Sequence, residues 1–261
     1  MSNDMIKHKI IAFANQKGGV GKTTSAINVA ACIAKNGYSV LVIDCDPQGN
    51  ATSGLGISKK GLSSSVYDII IGNCSPNEVI LRTKFKNLSI IPSSIDLVGA
   101  EIELINLENR EYRLKNSIET LKNDYDYIII DCPPSLSYVT INALNTATGL
   151  IVPLLCEFYS LEGLSQLTRT IRMIRQSQNP SLELLGVIIN MYDGRLNMSI
   201  QVMEQIKKYF PNKIISPPIP RNVKVSEAPS HGMPVIEYDK FSKGALAYNQ
   251  VSAEIINRTK M

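Results

Sequence analysis

No run of about 18 or more apolar residues occurs anywhere in this 261-residue sequence, which excludes a conventional membrane-spanning helix. The opening residues, Met1 to Lys9, hold no long apolar stretch ending in a small-residue cleavage site, so no secretory leader is expected and the chain is placed in the cytoplasm. Histidine is nearly absent, with only His8 and His231, and none of the five cysteines (Cys32, Cys45, Cys74, Cys132 and Cys156) forms a Cys-x-x-Cys pair. A zinc site or disulfide framework is therefore disfavoured, and reduced core thiols are expected. Internal repeats, low-complexity tracts and linkers are also missing, and the one Pro-rich stretch, Ser216 to Pro220, reads as a rigid loop. What remains is a chain with 44% apolar residues, enough for one large α/β domain over residues 1–261.

The formal net charge is only +4, yet it is unevenly placed: residues 1–194 carry 17 Lys and Arg against 18 Asp and Glu, and residues 195–261 carry 10 against 5. A polyanion bound by the C-terminal portion and an evenly solvated basic surface both account for that excess.

Short runs rich in Ile and Val recur at Ile10–Phe13, Val40–Ile43, Leu88–Ile91, Tyr127–Ile130, Leu150–Val152 and Leu185–Ile189. Their apolarity is continuous rather than alternating, which predicts strands covered on both faces. Between the first two runs, Ile27, Ala30, Ala31 and Ala34 fall on one stripe of a helix expected over Thr23–Asn36, with Gly37 as its stop. Further helical patterns run over about 100–122, 136–147, 161–178, 198–210 and 243–257. Strand, helix, strand in that order means right-handed parallel crossovers, hence a mostly parallel, twisted sheet flanked by helices on both faces.

Directly after the first strand stands NQKGGVGKTT, Asn15 to Thr24, leading into the first helix. Gly18, Gly19 and Gly21 let the backbone wrap a phosphate, the amides from Val20 to Thr24 point towards the anion, Lys22 supplies a cation, and Thr23 offers a hydroxyl to Mg²⁺. The strict pattern G-x-x-x-x-G-K-[ST] fails, because Gln16 stands six residues before Lys22. Two acidic motifs end later strands on the same side of the expected sheet: Asp44 and Asp46 in DCDPQGN, and Asp131 in DCPPS. A lone carboxylate there is equally a helix cap or a turn former. Three converging on one phosphate loop suit Mg²⁺ and a positioned water better.

The loop resembles the deviant Walker A sequence, K-G-G-x-G-K-[ST], of the ParA/MinD ATPases. The likeness continues through DCDPQGNATSGLG (44–56), GAEIEL (99–104), DCPPS (131–135), LEGL (161–164), IPRNV (219–223) and SEAPSHG (226–232), which together resemble the chromosomal ParA/Soj family from end to end. That resemblance implies a P-loop NTPase fold, a weak ATPase activity stimulated by a partner, and ATP with Mg²⁺ as cofactors. It implies that Lys17 reaches across a homodimer interface to the nucleotide of the other subunit, that Lys22 binds the phosphates, and that Asp46 controls hydrolysis. Thr23, Asp131 and Asp44 form the metal shell by the same likeness, and Pro220 and Asn222 approach the adenine.

By resemblance, non-specific double-stranded DNA is held through Arg195 and Lys224, with Arg221 and Lys243 as weaker additions, and a ParB/Spo0J-type protein is the stimulating partner. The expected setting is chromosome or plasmid segregation on the nucleoid. With nine residues before the first strand, no N-terminal helix-turn-helix domain is expected. The rivals are a MinD-like membrane switch, disfavoured by the weakly amphipathic end Val251–Met261, an iron–sulfur ATPase, and a metabolic kinase or ligase on the same scaffold.

Overall fold

The computed structural model describes residues 9–121, 124–157 and 160–260, with the side chains of 160–167 outside that description. Among the described residues, eight strands form one sheet: β1 (Ile10–Phe13), β2 (Val40–Asp44), β3 (Leu81–Arg82), β4 (Leu88–Ile91), β5 (Tyr127–Asp131), β6 (Gly149–Leu155), β7 (Glu183–Asn190) and β8 (Ile214–Ile215). Their order is β3-β4-β2-β5-β1-β6-β7-β8, parallel throughout except for the edge pair β3 and β4. The six apolar runs read from the sequence are the six interior strands. The two-residue edge strands β3 and β8 carry too short a pattern to be seen there.

The α-helices among the described residues are α1 (Lys22–Lys35), α2 (Asn50–Gly54), α3 (Val66–Ile71), α4 (Pro76–Val79), α5 (Leu97–Glu103), α6 (Arg113–Ile118), α7 (Tyr138–Thr146), α8 (Ser160–Ser177), α9 (Asn197–Tyr209), α10 (Val223–Glu227), α11 (Val235–Tyr238) and α12 (Lys243–Thr259). Strand residues alternate between two cores. Ile10, Ala12, Leu41, Ile43, Ile128 and Ile130 face one layer. Ile11, Phe13, Val40, Val42, Tyr127 and Ile129 face the other, which contains α1 and α12. Burial on both faces is why these strands are apolar at every position. Helix α1 is buried well beyond the predicted stripe, because α12 covers the side turned away from the sheet. No helix of the described residues is long and apolar enough to cross a membrane.

The helix expected over 100–122 is broken. It ends at Glu103, passes through a 3₁₀ turn at Leu104–Asn106, and resumes at Arg113. Asn109 adopts a left-handed backbone, φ 52°, that a continuous helix cannot hold. Two buried asparagines of α7 satisfy the interrupted backbone: Asn142 accepts from the Leu114 N–H at 3.1 Å and donates to the Arg110 carbonyl at 2.6 Å, and Asn145 donates to the Glu111 carbonyl at 2.8 Å. The apolar period survives the break, since Leu104, Leu114, Ile118 and Leu121 remain buried.

Candidate nucleotide-binding site

β1 ends at the centre of the sheet between β5 and β6, so the loop it feeds opens at the carboxyl edge, where such sheets hold ligands. Asn15 anchors the loop at its start: its amide donates to the Pro153 carbonyl at 2.8 Å, and its side-chain oxygen accepts from the Lys17 N–H at 3.0 Å. Gly21, immediately before α1, has φ 83°, and a Cβ there would stand 2.7 Å from the amide nitrogen of Asn190. Conformation and crowding both demand glycine. Asn190, the last residue of β7, donates to the Val20 carbonyl at 2.8 Å and to Ser25 Oγ at 3.0 Å, and that hydroxyl lies 3.4 Å from the hydroxyl of Tyr248 on α12. The first turn of α1 carries no acidic side chain, leaving its positive field free for an anion.

The two lysines of the loop are placed differently. Lys22 is 7% exposed and donates to the Lys17 carbonyl at 3.2 Å. Burial lowers its pKa, and the neighbouring Asp131, Cys132 and Asp46 act against that shift. Lys17 projects to the surface, where its ammonium meets Glu157, just past β6, at 2.5 Å.

Parallel pairing of β2 with β5 sets Asp44 and Asp131 in register. Asp44 is fully buried and accepts from the Thr52 N–H (2.8 Å), the Thr52 hydroxyl (2.7 Å) and the Asp46 N–H (3.2 Å). Burial pushes its carboxyl up to about 6, with Asp46 adding to the shift and the hydrogen bonds offsetting part of it. Asp131 is equally buried, but neither of its oxygens has a hydrogen-bond partner. Burial and then the charge of Asp44 raise it well above the carboxylate range. Thr23 and Lys22 offset some of this, although the Thr23 hydroxyl stands outside hydrogen-bonding geometry with the carboxylate.

A buried, unpartnered carboxylate beside a second one is costly unless a cation joins it. Among the described residues no group of three His, Cys, Asp or Glu side chains gathers closely enough to hold a metal alone. Mg²⁺ fits that donor set, because it takes one or two carboxylates and fills its remaining positions with water and phosphate oxygens. Asp46, 9% exposed, sits on the same loop and accepts from the Gln48 N–H at 2.9 Å.

Beside the loop lies a cavity of about 380 Å³, bounded by Gly21 and Thr24 on one side and by Pro220, Asn222 and Val225 on the other. The predicted base-contacting pair therefore stands next to the phosphate cradle. Asn222 uses its side-chain oxygen to cap α10, accepting from the Val225 N–H at 3.3 Å.

The four basic positions lie along the neighbouring rim. Tyr192 bridges to Pro220, which brings the loop of Arg195 against the segment of Arg221, and the start of α12 with Lys243 packs Gly244 onto Asn222 and Val225 of the α10 turn. Arg195 forms a two-pronged pair with Asp193 (2.9 and 2.7 Å), and Lys224 pairs with Glu227 at 2.9 Å. Arg221 and Lys243 are exposed. A cation in the first turn of α12 opposes that helix's field, so Lys243 stabilises nothing by its position there.

All five cysteines are free, and burial raises the pKa of both Cys45 and Cys132 beside the acidic motifs. The side chains of the 161–164 motif lie outside the described residues.

A family model described as an AAA domain matches residues 8–184. The chain is 52% identical over 247 residues to the sporulation initiation inhibitor protein Soj of Bacillus subtilis, covering 95% of this chain and 98% of that one. It is 46% identical over 250 residues to the chromosome partitioning protein ParA of Myxococcus xanthus, covering 96% and 88%. The chain belongs to the ParA/Soj family.

Among solved structures, one from Mycobacterium smegmatis described as cobyrinic acid a,c-diamide synthase with bound ADP and magnesium superposes with a TM-score of 0.82, at 38% identity over 94% of this chain and 92% of that one. This ParA/Soj protein is accordingly an ATPase that uses ATP with Mg²⁺. Reading of the sequence did not single out Asn190, Thr52 or Glu157. For Asn190 a signal existed: it is the one polar residue closing the apolar run Leu185–Ile189.

Proposed function

We propose that this ParA/Soj ATPase is a dimerising switch: ATP links two copies face to face, the pair holds double-stranded DNA without reading its sequence, and hydrolysis stimulated by a ParB/Spo0J-type partner releases it. The observation that carries this reading is the division between the two loop lysines. Lys22 is buried in the cradle of its own subunit, whereas Lys17 is half-exposed and among the described residues its ammonium pairs with the exposed carboxylate of Glu157. A cation placed there is positioned for a nucleotide held by a second copy.

Within each subunit, Lys22 and the amides of Gly18, Gly19, Val20, Gly21, Thr23 and Thr24 bind the phosphates, and Pro220 and Asn222 border the base. Thr23 and Asp131 are the residues that would hold Mg²⁺, which would neutralise phosphate charge. Asp44 supports that shell by fixing the Asp46 amide. Asp46, 9% exposed on the loop after β2, orients the attacking water and takes its proton. Arg195, Arg221, Lys224 and Lys243 contact DNA phosphates, so binding weakens with salt and is indifferent to sequence. The setting is chromosome or plasmid segregation on the nucleoid. The membrane reading is less favoured, since Val251, Ile255 and Ile256 of α12 are buried against the core rather than free for lipid.

The test is Asp46→Ala with ATP, read by light scattering after size exclusion and by retention on unrelated DNA duplexes at two salt concentrations. A stable dimer held on DNA is the expected result. A variant that stays monomeric with ATP while still binding the nucleotide would remove the switch model.

A further inference from the structure

The turn that carries Asp46 is gripped from inside the molecule by Thr52 of α2, a residue with no exposed surface. The Thr52 hydroxyl donates to Asp44 Oδ2 at 2.7 Å and accepts the Ser93 N–H at 3.0 Å, and the Thr52 N–H donates to the same Oδ2 at 2.8 Å. A hydroxyl has one proton to give, and here Asp44 receives it. With Oδ2 held twice, Oδ1 of Asp44 is the atom that accepts the Asp46 N–H, at 3.2 Å. The turn then closes on itself: Asp46 Oδ1 accepts the Gln48 N–H at 2.9 Å, and the Asp46 carbonyl accepts the Gly49 N–H at 2.8 Å.

From the solvent side the grip is weaker. Lys59 donates its ammonium to the Gln48 carbonyl at 2.8 Å, but in the open, where water replaces such a bond at little cost. Loss of the Thr52 hydroxyl is different, because it leaves the buried Ser93 N–H without that acceptor and Asp44 with one donor fewer, both away from bulk water. Branching at Cβ restricts χ1, so the hydroxyl keeps its direction between the two partners. The segment after β4 also meets the turn at a second point, since a Cβ on Gly49 would stand 3.5 Å from the Ser93 carbonyl.

We propose that Thr52 is a positioning residue for ATP hydrolysis. Through Asp44 its hydroxyl fixes the amide of Asp46, and with it the carboxylate that faces the attacking water; through Ser93 it ties that turn to the end of β4. This deepens the role given to Asp46 above and rests on it.

Thr52→Val keeps the volume and the backbone N–H and deletes the hydroxyl. The readouts are single-turnover ATP hydrolysis, the KM for ATP and ADP affinity, measured on the full chain well below its melting temperature. Hydrolysis is expected to slow by about ten- to 100-fold, the cost of a catalytic group displaced by a fraction of an ångström or more. The KM and ADP affinity should stay within about two-fold, because the phosphate cradle is untouched. Thr52→Ser, which retains the hydroxyl, should recover most of the rate, and Lys59→Ala should stay within about two-fold of the wild type. A Thr52→Val protein that is less stable yet hydrolyses ATP at the wild-type rate overturns the proposal and makes Thr52 a packing residue. So does a loss of ADP affinity as large as the loss of rate, or a Thr52→Ser protein as slow as Thr52→Val. Where Thr52→Val does not fold, Thr52→Ala against Thr52→Ser carries the same comparison with the same outcomes. Asp46→Ala in the same assay separates the two claims: wild-type hydrolysis there removes the role of Asp46, whereas slow hydrolysis there beside a normal Thr52→Val removes only that of Thr52.

Discussion

Asn190 closes β7 by donating its side-chain amide to the Val20 carbonyl at 2.8 Å, tying the far side of the sheet to the phosphate loop. The same amide reaches Ser25 Oγ at 3.0 Å, so a single buried group fixes both the loop and the first turn of α1. Asn190→Ala leaves the Val20 carbonyl without its donor and is expected to cost about 1–3 kcal/mol of stability. Nucleotide affinity should fall as the loop loosens. Urea unfolding together with calorimetric titration of ADP checks both; unchanged ADP affinity would show that the loop holds its shape without the amide. Gly21→Ala meets the same amide from the other side and should be at least as damaging.

Asp131 illustrates a conflict between stability and function. Its two oxygens are buried without partners next to Asp44. Asp131→Asn removes the charge, and in the presence of a chelator the variant should be about 1–2 kcal/mol more stable than the wild type. With ATP and Mg²⁺ its hydrolysis should fall roughly 100-fold. A lower melting temperature in chelator would show that the buried anion is better accommodated than the geometry indicates.

Arg195 is held by Asp193, whose carboxyl the guanidinium keeps down at about 2. Because the folded value is lowered, the pair's contribution is present above the ordinary carboxylate range near about 4 and is lost as pH falls through about 2. An NMR titration of the Asp193 carboxyl should show that midpoint in the wild type and a normal one in Arg195→Ala. At neutral pH the pair is intact, so Arg195 must leave Asp193 to reach a phosphate. Asp193→Asn should then strengthen DNA retention and steepen its salt dependence by up to about 0.9 in the logarithmic slope per released arginine. Retention that is no stronger would take Arg195 out of the contact set.

Lys17→Ala should abolish the ATP-dependent dimer while sparing nucleotide binding by the monomer, measured by scattering and by titration. Glu157→Gln should change dimer affinity by less than about five-fold, since an exposed pair is worth about 1 kcal/mol or less. A dimer as tight in Lys17→Ala as in the wild type would leave that lysine without its proposed role.

Much of this arrangement could be read from residue order because it rests on short-range patterns. Ile10–Phe13 followed by the glycine loop and the Ala-rich helix is a local signal, and so is the Asp that ends each of two apolar runs. The break in the 100–122 helix was not legible, because it depends on Asn142 and Asn145 arriving from α7 to satisfy a backbone some 30 residues away. Thr52 and Glu157 escaped for the same reason. Their importance lies in partners eight and 140 residues distant, and nothing in their immediate neighbours marks them. The cavity beside Pro220 was foreseeable only through family likeness, since its two walls meet across the bridge from Tyr192.

If Lys17 crosses to the partner's nucleotide as proposed, its pairing with Glu157 makes the union of two subunits an exchange of counter-ions rather than the capture of a bare cation. One anion is released as another is taken up, so added salt weakens the starting and the finished arrangement alike, and the two effects partly cancel. On that reading, clasping of the protomers should tolerate ionic strengths that already strip the proposed complex from DNA, so salt would tune DNA residence while leaving the pairing step nearly untouched.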